Sequence, residues 1–406
     1  KTLYRKNLKG HFGCVNAIEF SKNGGQFIAS GGDDRRVLLW DVEKSLNNVS
    51  RPVAMREQHH SNIFCLEFDN ENKKIISGGN DQLVIAHDIE SGRNLDVFFH
   101  EDAVYCLAVD PNNSMVFGSA CDDGRILIYD IRQPASEDPF VLATSPDPMH
   151  SLCFNPVDPR FIVTANSGEG TQLWDIRVPR KPLHKYGSRH LHSGHRTSMS
   201  VCFNRLGTHL MALRRQRGPV VFDVADSLPP VQFEGDGYRN FCTMKSCTFA
   251  GENDEYVISG SDDFKLYMWK IPTDEKSKGI FEKVTQTHCT LEGHRSIVNQ
   301  VRYNPQSCLI ISSGVEKIVK VWSPLPIGDL KSDECKAEIP RAKFTTLQYI
   351  GLVMSDGNLD GDISNALLVT HNYNDRSTEE DSRMLAFFDS LVDRERTSAL
   401  IESDVD

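Results

Sequence analysis

Serine or threonine, histidine and aspartate recur along this 406-residue sequence in combinations that suit nucleophilic hydrolysis, in which an imidazole oriented by a carboxylate activates a hydroxyl. Ser30, His11 and Asp34 make one such set. Repetition argues against that chemistry, because a catalytic constellation occurs once in a domain. Here the same residue types return at fixed offsets from an aromatic residue or histidine, at Trp40, His87, Tyr129, Trp174, Phe222, Trp269 and Trp322. Ten positions upstream stand Ser30, Ser77, Ser119, Thr164, Ala212, Ser259 and Ser312. Six upstream stand Asp34, Asp81, Asp123, Gly168, Gln216, Asp263 and Glu316. Some 27 to 29 upstream come His11, His60, His100, His195 and His294, three of them preceded by Gly10, Gly194 and Gly293. The fourth and sixth repeats lack this histidine. No Gly-x-Ser-x-Gly elbow is present, and Gly31-Gly32 and Gly168-Glu169-Gly170 lie in turns without the helix that a phosphate cradle requires. The expectation is a non-enzymatic chain with no catalytic residue and no cofactor.

The elements that would hold these residues follow from the spacing. The seven markers are separated by 47, 42, 45, 48, 47 and 53 residues, room for one four-stranded unit apiece. Positions one and three before each marker are nearly all apolar, as in Val37 and Leu39 or Leu266 and Met268, which is the period of a strand. A Trp buried inside such a unit carries an indole N–H that must find an acceptor. The hydroxyl ten positions upstream supplies it, then donates to the histidine, which donates to the turn carboxylate. The structural relay expected is His11, Ser30, Asp34 and Trp40 in the first unit, and His294, Ser312 and Trp322 in the last.

Gly10-His11 through Trp40-Asp41 and its copies resemble the signature of WD-repeat proteins. The resemblance implies an all-β fold, a seven-bladed WD-repeat β-propeller over 1–325. Leu3 to Leu8 would then be the outer strand that closes the ring onto the last blade and removes its free edges.

Composition bounds the function. With 39% hydrophobic residues, no run of 18 apolar residues and no apolar leader, the sequence reads as soluble and unsecreted, with no membrane partner. Eleven cysteines include Cys65, Cys106, Cys153 and Cys202 inside strand-like runs, and no CxxC pair offers metal-ligand spacing. Reduced thiols in the nucleus or cytoplasm fit that pattern, and no metal is expected. A net charge of −11 repels a phosphate backbone, so direct nucleic-acid binding is disfavoured.

Two consecutive repeats end Tyr129-Asp130-Ile131-Arg132 and Trp174-Asp175-Ile176-Arg177. These boxes resemble those of the substrate receptors of cullin-4 RING ubiquitin ligases. Gly10 to Phe20, Gly31 to Trp40, Gly293 to Val301 and Met384 to Val392 resemble one receptor of that class. The resemblance implies a non-catalytic substrate receptor whose Asp130, Arg132, Asp175 and Arg177 engage the adaptor, damage-specific DNA-binding protein 1, and through it cullin-4. It also implies an adaptor-binding segment ahead of the propeller, for which Lys1 begins too late. Protein targets would use the opposite face, where Arg35, Arg36, Arg214, Arg215 and Arg217 suggest a basic patch for an acidic or phosphorylated segment. The rival readings are a general scaffold, perhaps on chromatin, without a ligase role, and an RNA-binding propeller using the Arg214 to Arg217 loop.

Beyond the last repeat, 326–348 reads as a polar linker and 349–406 as a C-terminal extension. Within it an amphipathic helix is expected at about 378–396, opened by a Ser377-Thr378-Glu379-Glu380 capping box. Its apolar stripe of Met384, Phe387, Phe388, Leu391 and Val392 should pack on the propeller, with a partner's groove as the alternative.

Overall fold

The computed structural model describes residues 3–187, 197–225, 230–272, 282–327, 343–344, 348 and 376–403. Apolar alternation in each repeat produces a sheet, and seven sheets form. In the first blade the strands run Val15–Phe20, Phe27–Gly32, Leu38–Asp41 and Val53–Ala54 in spatial order. Innermost strands of neighbouring blades pack against one another around the whole ring, the first against the last included. Closure is by Tyr4–Lys9, antiparallel to Ile318–Ser323 with Tyr4 opposite Ser323 and Lys9 opposite Ile318. The fifth blade gains an extra outer strand, Glu282–Val284, parallel to Val231–Phe233.

The core lies between blades. Leu8, Ile18, Ile28, Trp40, Val319 and Val321 form one of its clusters. Gly10 is required there, because a Cβ would come within 2.8 Å of the Trp40 ring. Six innermost strands carry a register shift at the same point, between Val15/Ala17, Ile63/Cys65, Val104/Cys106, Met149/Ser151, Ser198/Ser200 and Val298/Gln300. Each leaves one bulged residue outside the ladder, and a bulge re-aims its side chain. The bulged residues Asn16, Phe64, Tyr105, His150, Met199 and Asn299 all line the central channel.

In the first blade the polar relay runs without interruption. The Trp40 indole N–H donates to Ser30 Oγ at 2.7 Å, Ser30 Oγ lies 2.7 Å from His11 Nε2, and His11 Nδ1 is 3.0 Å from Asp34. Because the hydroxyl accepts from the indole, its own proton goes to His11, whose remaining N–H goes to Asp34. The seventh blade repeats the pattern with Trp322, Ser312, His294 and Glu316.

Other blades depart from the expected wiring. In the second, His59 rather than His60 joins Ser77 and Asp81, while His60 is exposed and offers only its backbone N–H to Asp81. The functional offset there is 28 residues from His87, as it is for His294 and Trp322. In the third, His100 contacts Ser119 and Tyr129, but Asp123 accepts from Arg125 instead. In the sixth, Trp269 donates to the Glu234 carbonyl at 2.6 Å, and Ser259 bonds Tyr238, which fills the place of the absent histidine. His195 and Gly194 lie outside the described residues.

Two tests follow. Ser30 is fully buried, so Ser30→Ala strands both the Trp40 N–H and His11 Nε2 and should cost about 2–3 kcal/mol in urea unfolding. His87, in a Trp position, is held neutral by burial first and by nearby His59 second, its pKa pushed down to about 3. The unfolded chain takes up a proton there near pH 6.5 and the folded chain does not, so stability falls as pH drops below that value. His87→Phe should remove roughly 2 kcal/mol of the stability difference between pH 7 and pH 5, read from urea midpoints at the two pH values.

Candidate functional site

Each blade has two ends. The loops joining first to second and third to fourth strands lie on one face of the ring. The turns between second and third strands, with the loops entering the next blade, lie on the other. Arg132 and Arg177 directly follow the third strands Arg125–Asp130 and Gly170–Asp175, which puts both on the first face. Their geometry is the same. Asp130 Oδ1 accepts from Arg132 N at 3.0 Å and from its Nε at 2.8 Å, and Asp175 Oδ1 accepts both corresponding donors of Arg177 at 2.9 Å. Each aspartate thus orients its arginine, and each carboxyl is held below the usual range mainly by the guanidinium bound to it. The guanidinium side chains stay 64% and 57% exposed. A fixed fork with donors to spare is ready-made for a partner's carboxylates or carbonyls.

Sequence reasoning missed a third such unit. Arg160 folds back on Asp158 with Nε at 2.7 Å, on the same face and within electrostatic range of Asp175 and Arg177. Its signal in the sequence is the Asp-x-Arg spacing of Asp158-Pro159-Arg160, away from any repeat aromatic. Val157, Val178 and Leu206 stand exposed in loops of this face. Val157 precedes Asp158 and Val178 follows Arg177 in the chain, so apolar surface adjoins two of the charged forks, a mixture found in docking patches.

The opposite face differs from expectation. Arg214 is only 6% exposed, bonds Gln232 at 3.2 Å, and has its pKa pushed down to about 10 by burial and then by Arg217. Its length lets the aliphatic stem fill the blade, so it is no surface contact. Arg36 is spent on Asp34 and the Gly10 carbonyl and lies over the Phe12 ring at 3.9 Å. Arg35 is half-buried in a left-handed turn at φ 65°. Only Arg215 and Arg217 of the five expected residues are exposed. A continuous basic patch is therefore not what this face presents.

The same face carries the C-terminal helix. Helix α1 (Val42–Leu46) is a single short turn in blade one, and helix α2 (Ser382–Ser403) is the C-terminal one. Val392 of α2 packs with Cys14, Phe264, Ile297 and Val315, with Met384 and Phe388 alongside, so the helix docks over blades six, seven and one. The expected capping box is displaced: Asp381 caps the helix, accepting from Arg383 N at 2.9 Å. Glu380 instead reaches the propeller and accepts from Lys317 N at 3.2 Å, while Lys317 Nζ donates to the Ser377 carbonyl. Leu385, Ala386 and Asp389 are also buried, outside the expected stripe, and Asp389 accepts from Phe344 N at 2.8 Å. Most of the 326–348 linker lies outside the described residues.

The family model for the WD domain, G-beta repeat matches residues 3–41, 50–88, 92–130 and 285–323. These are blades one, two, three and seven, and the ring of seven sheets supplies the remaining three. The chain belongs to the WD-repeat family. Over its full length this WD-repeat propeller is 52% identical to the proteins named DDB1- and CUL4-associated factor 5 of Mus musculus and of Homo sapiens. It spans 42% of the length of those relatives. It is 30% identical to WD and tetratricopeptide repeats protein 1 of Mus musculus over 46% of this chain and 28% of that one. The model passes over blades four to six, where the relay lacks its histidine, its hydroxyl or its usual indole partner. No helix among the described residues is long and apolar enough to cross a membrane.

Docking of α2 on the WD-repeat propeller should respond to pH. Glu380 has its pKa pushed up to about 7, by burial first and by Glu316 second, against Lys317 and Arg295. The docked helix therefore holds a proton that a released one gives up near pH 4.5. Docking should be strongest in acid and weaken as pH rises from about 4.5 to 7. Protection factors within 382–395, which divide out the intrinsic pH dependence of amide exchange, should fall across that window, and Glu380→Gln should remove the fall and keep the helix protected at pH 8.

Proposed function

We propose that this chain is a non-catalytic substrate receptor of a cullin-4 RING ubiquitin ligase. The observation that carries it is the identical clamping of Arg132 by Asp130 and of Arg177 by Asp175 on one face of consecutive blades, together with full-length similarity to proteins named for association with DDB1 and CUL4. In this reading the adaptor, damage-specific DNA-binding protein 1, binds the box face and brings cullin-4 with it. Asp130, Arg132, Asp175 and Arg177 hold it, and Arg160 with Val157, Val178 and Leu206 extends the contact. The helix-bearing face takes the protein target, with Arg215 and Arg217 as peripheral contacts. Chemistry takes place on other subunits, and the work belongs to the nucleus or cytoplasm.

Arg132 and Arg177 are exposed, so replacing both with alanine should move the unfolding free energy by less than about 0.5 kcal/mol. Recovery of the adaptor and cullin-4 in affinity capture should fall by about tenfold or more, since desolvated interface arginines are frequent hot spots. Unchanged recovery would favour a general WD-repeat scaffold without a ligase role. Arg160→Ala alone should give an intermediate loss.

A further inference from the structure

The central channel holds a cavity of about 310 Å³. On blades two, three and four, its wall at the helix-bearing face is aromatic. Phe64 and Tyr105 stack with centroids 5.7 Å apart, and Tyr105 meets His150 edge-on at 5.6 Å. All three are bulged residues of the innermost strands, so each ring is turned out of its ladder toward the channel, and all three remain partly exposed. Such rings attract cations over their faces. His150 Nδ1 donates to the Ser198 carbonyl at 3.1 Å, and burial lowers its pKa, so the ring is neutral and keeps Nε2 as an acceptor.

Among the described residues of blades three and four, charge beside this wall has one dominant sign. The loops of blades three and four on this face carry Glu101, Asp102, Asp122, Asp123, Asp147 and Glu169. Arg125 bonds Asp123 and Glu101, and Lys185 bonds Glu169. That leaves Asp102, Asp122 and Asp147 to set the local field. Burial first, then the nearby carboxylates of Asp122 and Asp102, raise the pKa of the Tyr105 hydroxyl, which puts both acids close to this ring. On the blade-five side, Arg215 bounds the acidic arc; it bonds the Phe241 carbonyl and is felt at His150. Deeper in, the buried Lys245 is neutralised by Asp262. At the far end Arg302 pairs with Glu19 and Lys22 with Glu67. Among the described residues the channel interior is thus balanced, and the unbalanced negative charge sits beside the aromatic wall.

We propose that this mouth receives a lysine or arginine side chain from a basic segment of the target, seated against Phe64, Tyr105 and His150 and held by Asp122 and Asp102. This rests on the reading of the chain as a target receptor and names the chemistry of what its target face takes. It replaces the acidic target expected from the arginine count, because three of those five arginines are buried or half-buried. The same acidic arc repels nucleic acid and phosphorylated segments.

The test uses the full chain without adaptor and two fluorescein-labelled peptides: Ser-Gly-Arg-Lys-Arg-Gly-Ser and its charge reversal Ser-Gly-Glu-Asp-Glu-Gly-Ser. Anisotropy should show binding of the basic peptide only. Tyr105→Ala and Asp122→Asn should each weaken it on the order of fivefold to tenfold, whereas Tyr105→Phe keeps the ring and most of the binding. Glu137→Gln removes one exposed charge from the box face and should change binding by less than about twofold if attraction is local rather than a net-charge effect. Equal losses in Asp122→Asn and Glu137→Gln, binding of the acidic peptide, or no binding of the basic one would each overturn the proposal. Asp122→Asn alters a partly exposed loop side chain, so it decides the matter even if Tyr105→Ala fails to fold. Adaptor capture on the same preparations reads the box face separately, so failure of the peptide test leaves the receptor reading standing and the reverse also holds.

Discussion

An indole N–H with no water to bond is the constraint from which this propeller is built. Every blade that buries a tryptophan must bring an acceptor to it, and a hydroxyl on the adjacent strand does so at least strain. The hydroxyl then needs an acceptor of its own, which recruits a histidine from the preceding loop, and the histidine recruits a carboxylate from the next turn. One buried donor thereby fixes three segments of backbone relative to each other. The requirement is for satisfied hydrogen bonds rather than for particular residues, which is why the pattern tolerates substitution. Glu316 serves for aspartate in the seventh blade, Tyr238 stands in for histidine in the sixth, and the Glu234 carbonyl satisfies Trp269 without any hydroxyl.

That tolerance marks where sequence reading ends. Offsets from the repeat aromatic are visible in one dimension because blades one and seven keep every partner, and seven units at a spacing of 42 to 53 residues admit few folds other than a closed ring. A one-residue shift such as His59 against His60 is not visible, since both are histidines and only loop length decides which one reaches Ser77. The sixth blade's substitutes are invisible for a different reason: a backbone carbonyl has no letter in the sequence. Surface character was the least legible. Five arginines on the turns read as a basic face, yet Arg214 and Arg36 are long enough to turn inward and spend their charge locally. The aromatic wall was hidden because Phe64, Tyr105 and His150 sit in strands whose neighbours are ordinary core residues, and only the bulges turn them to the channel.

The two faces differ in what they present. On one, aspartates preset arginines on consecutive blades, and apolar side chains in loops of the same face are exposed. On the other, α2 covers blades six, seven and one and leaves the acidic, aromatic sector over blades two to four. A rigid ring between them keeps both surfaces in fixed relation, so a protein held at one face is presented at a constant distance and angle from whatever holds the other. The helix makes the second face composite, because its docking depends on Glu380 and Lys317, and its neighbour Glu316 belongs to the relay of blade seven.

Closure of the ring by Tyr4–Lys9 against Ile318–Ser323 has a temporal consequence. During synthesis the earliest strand waits, unsatisfied along its backbone, until more than three hundred further residues have emerged, since its partner is the last blade to be made. Six blades can assemble in order behind it, but the circle is completed in a single late event that joins the two ends of the propeller. Until that joining, an emerging propeller therefore keeps an open sheet edge at each end, the interval in which chaperones have the most to shield.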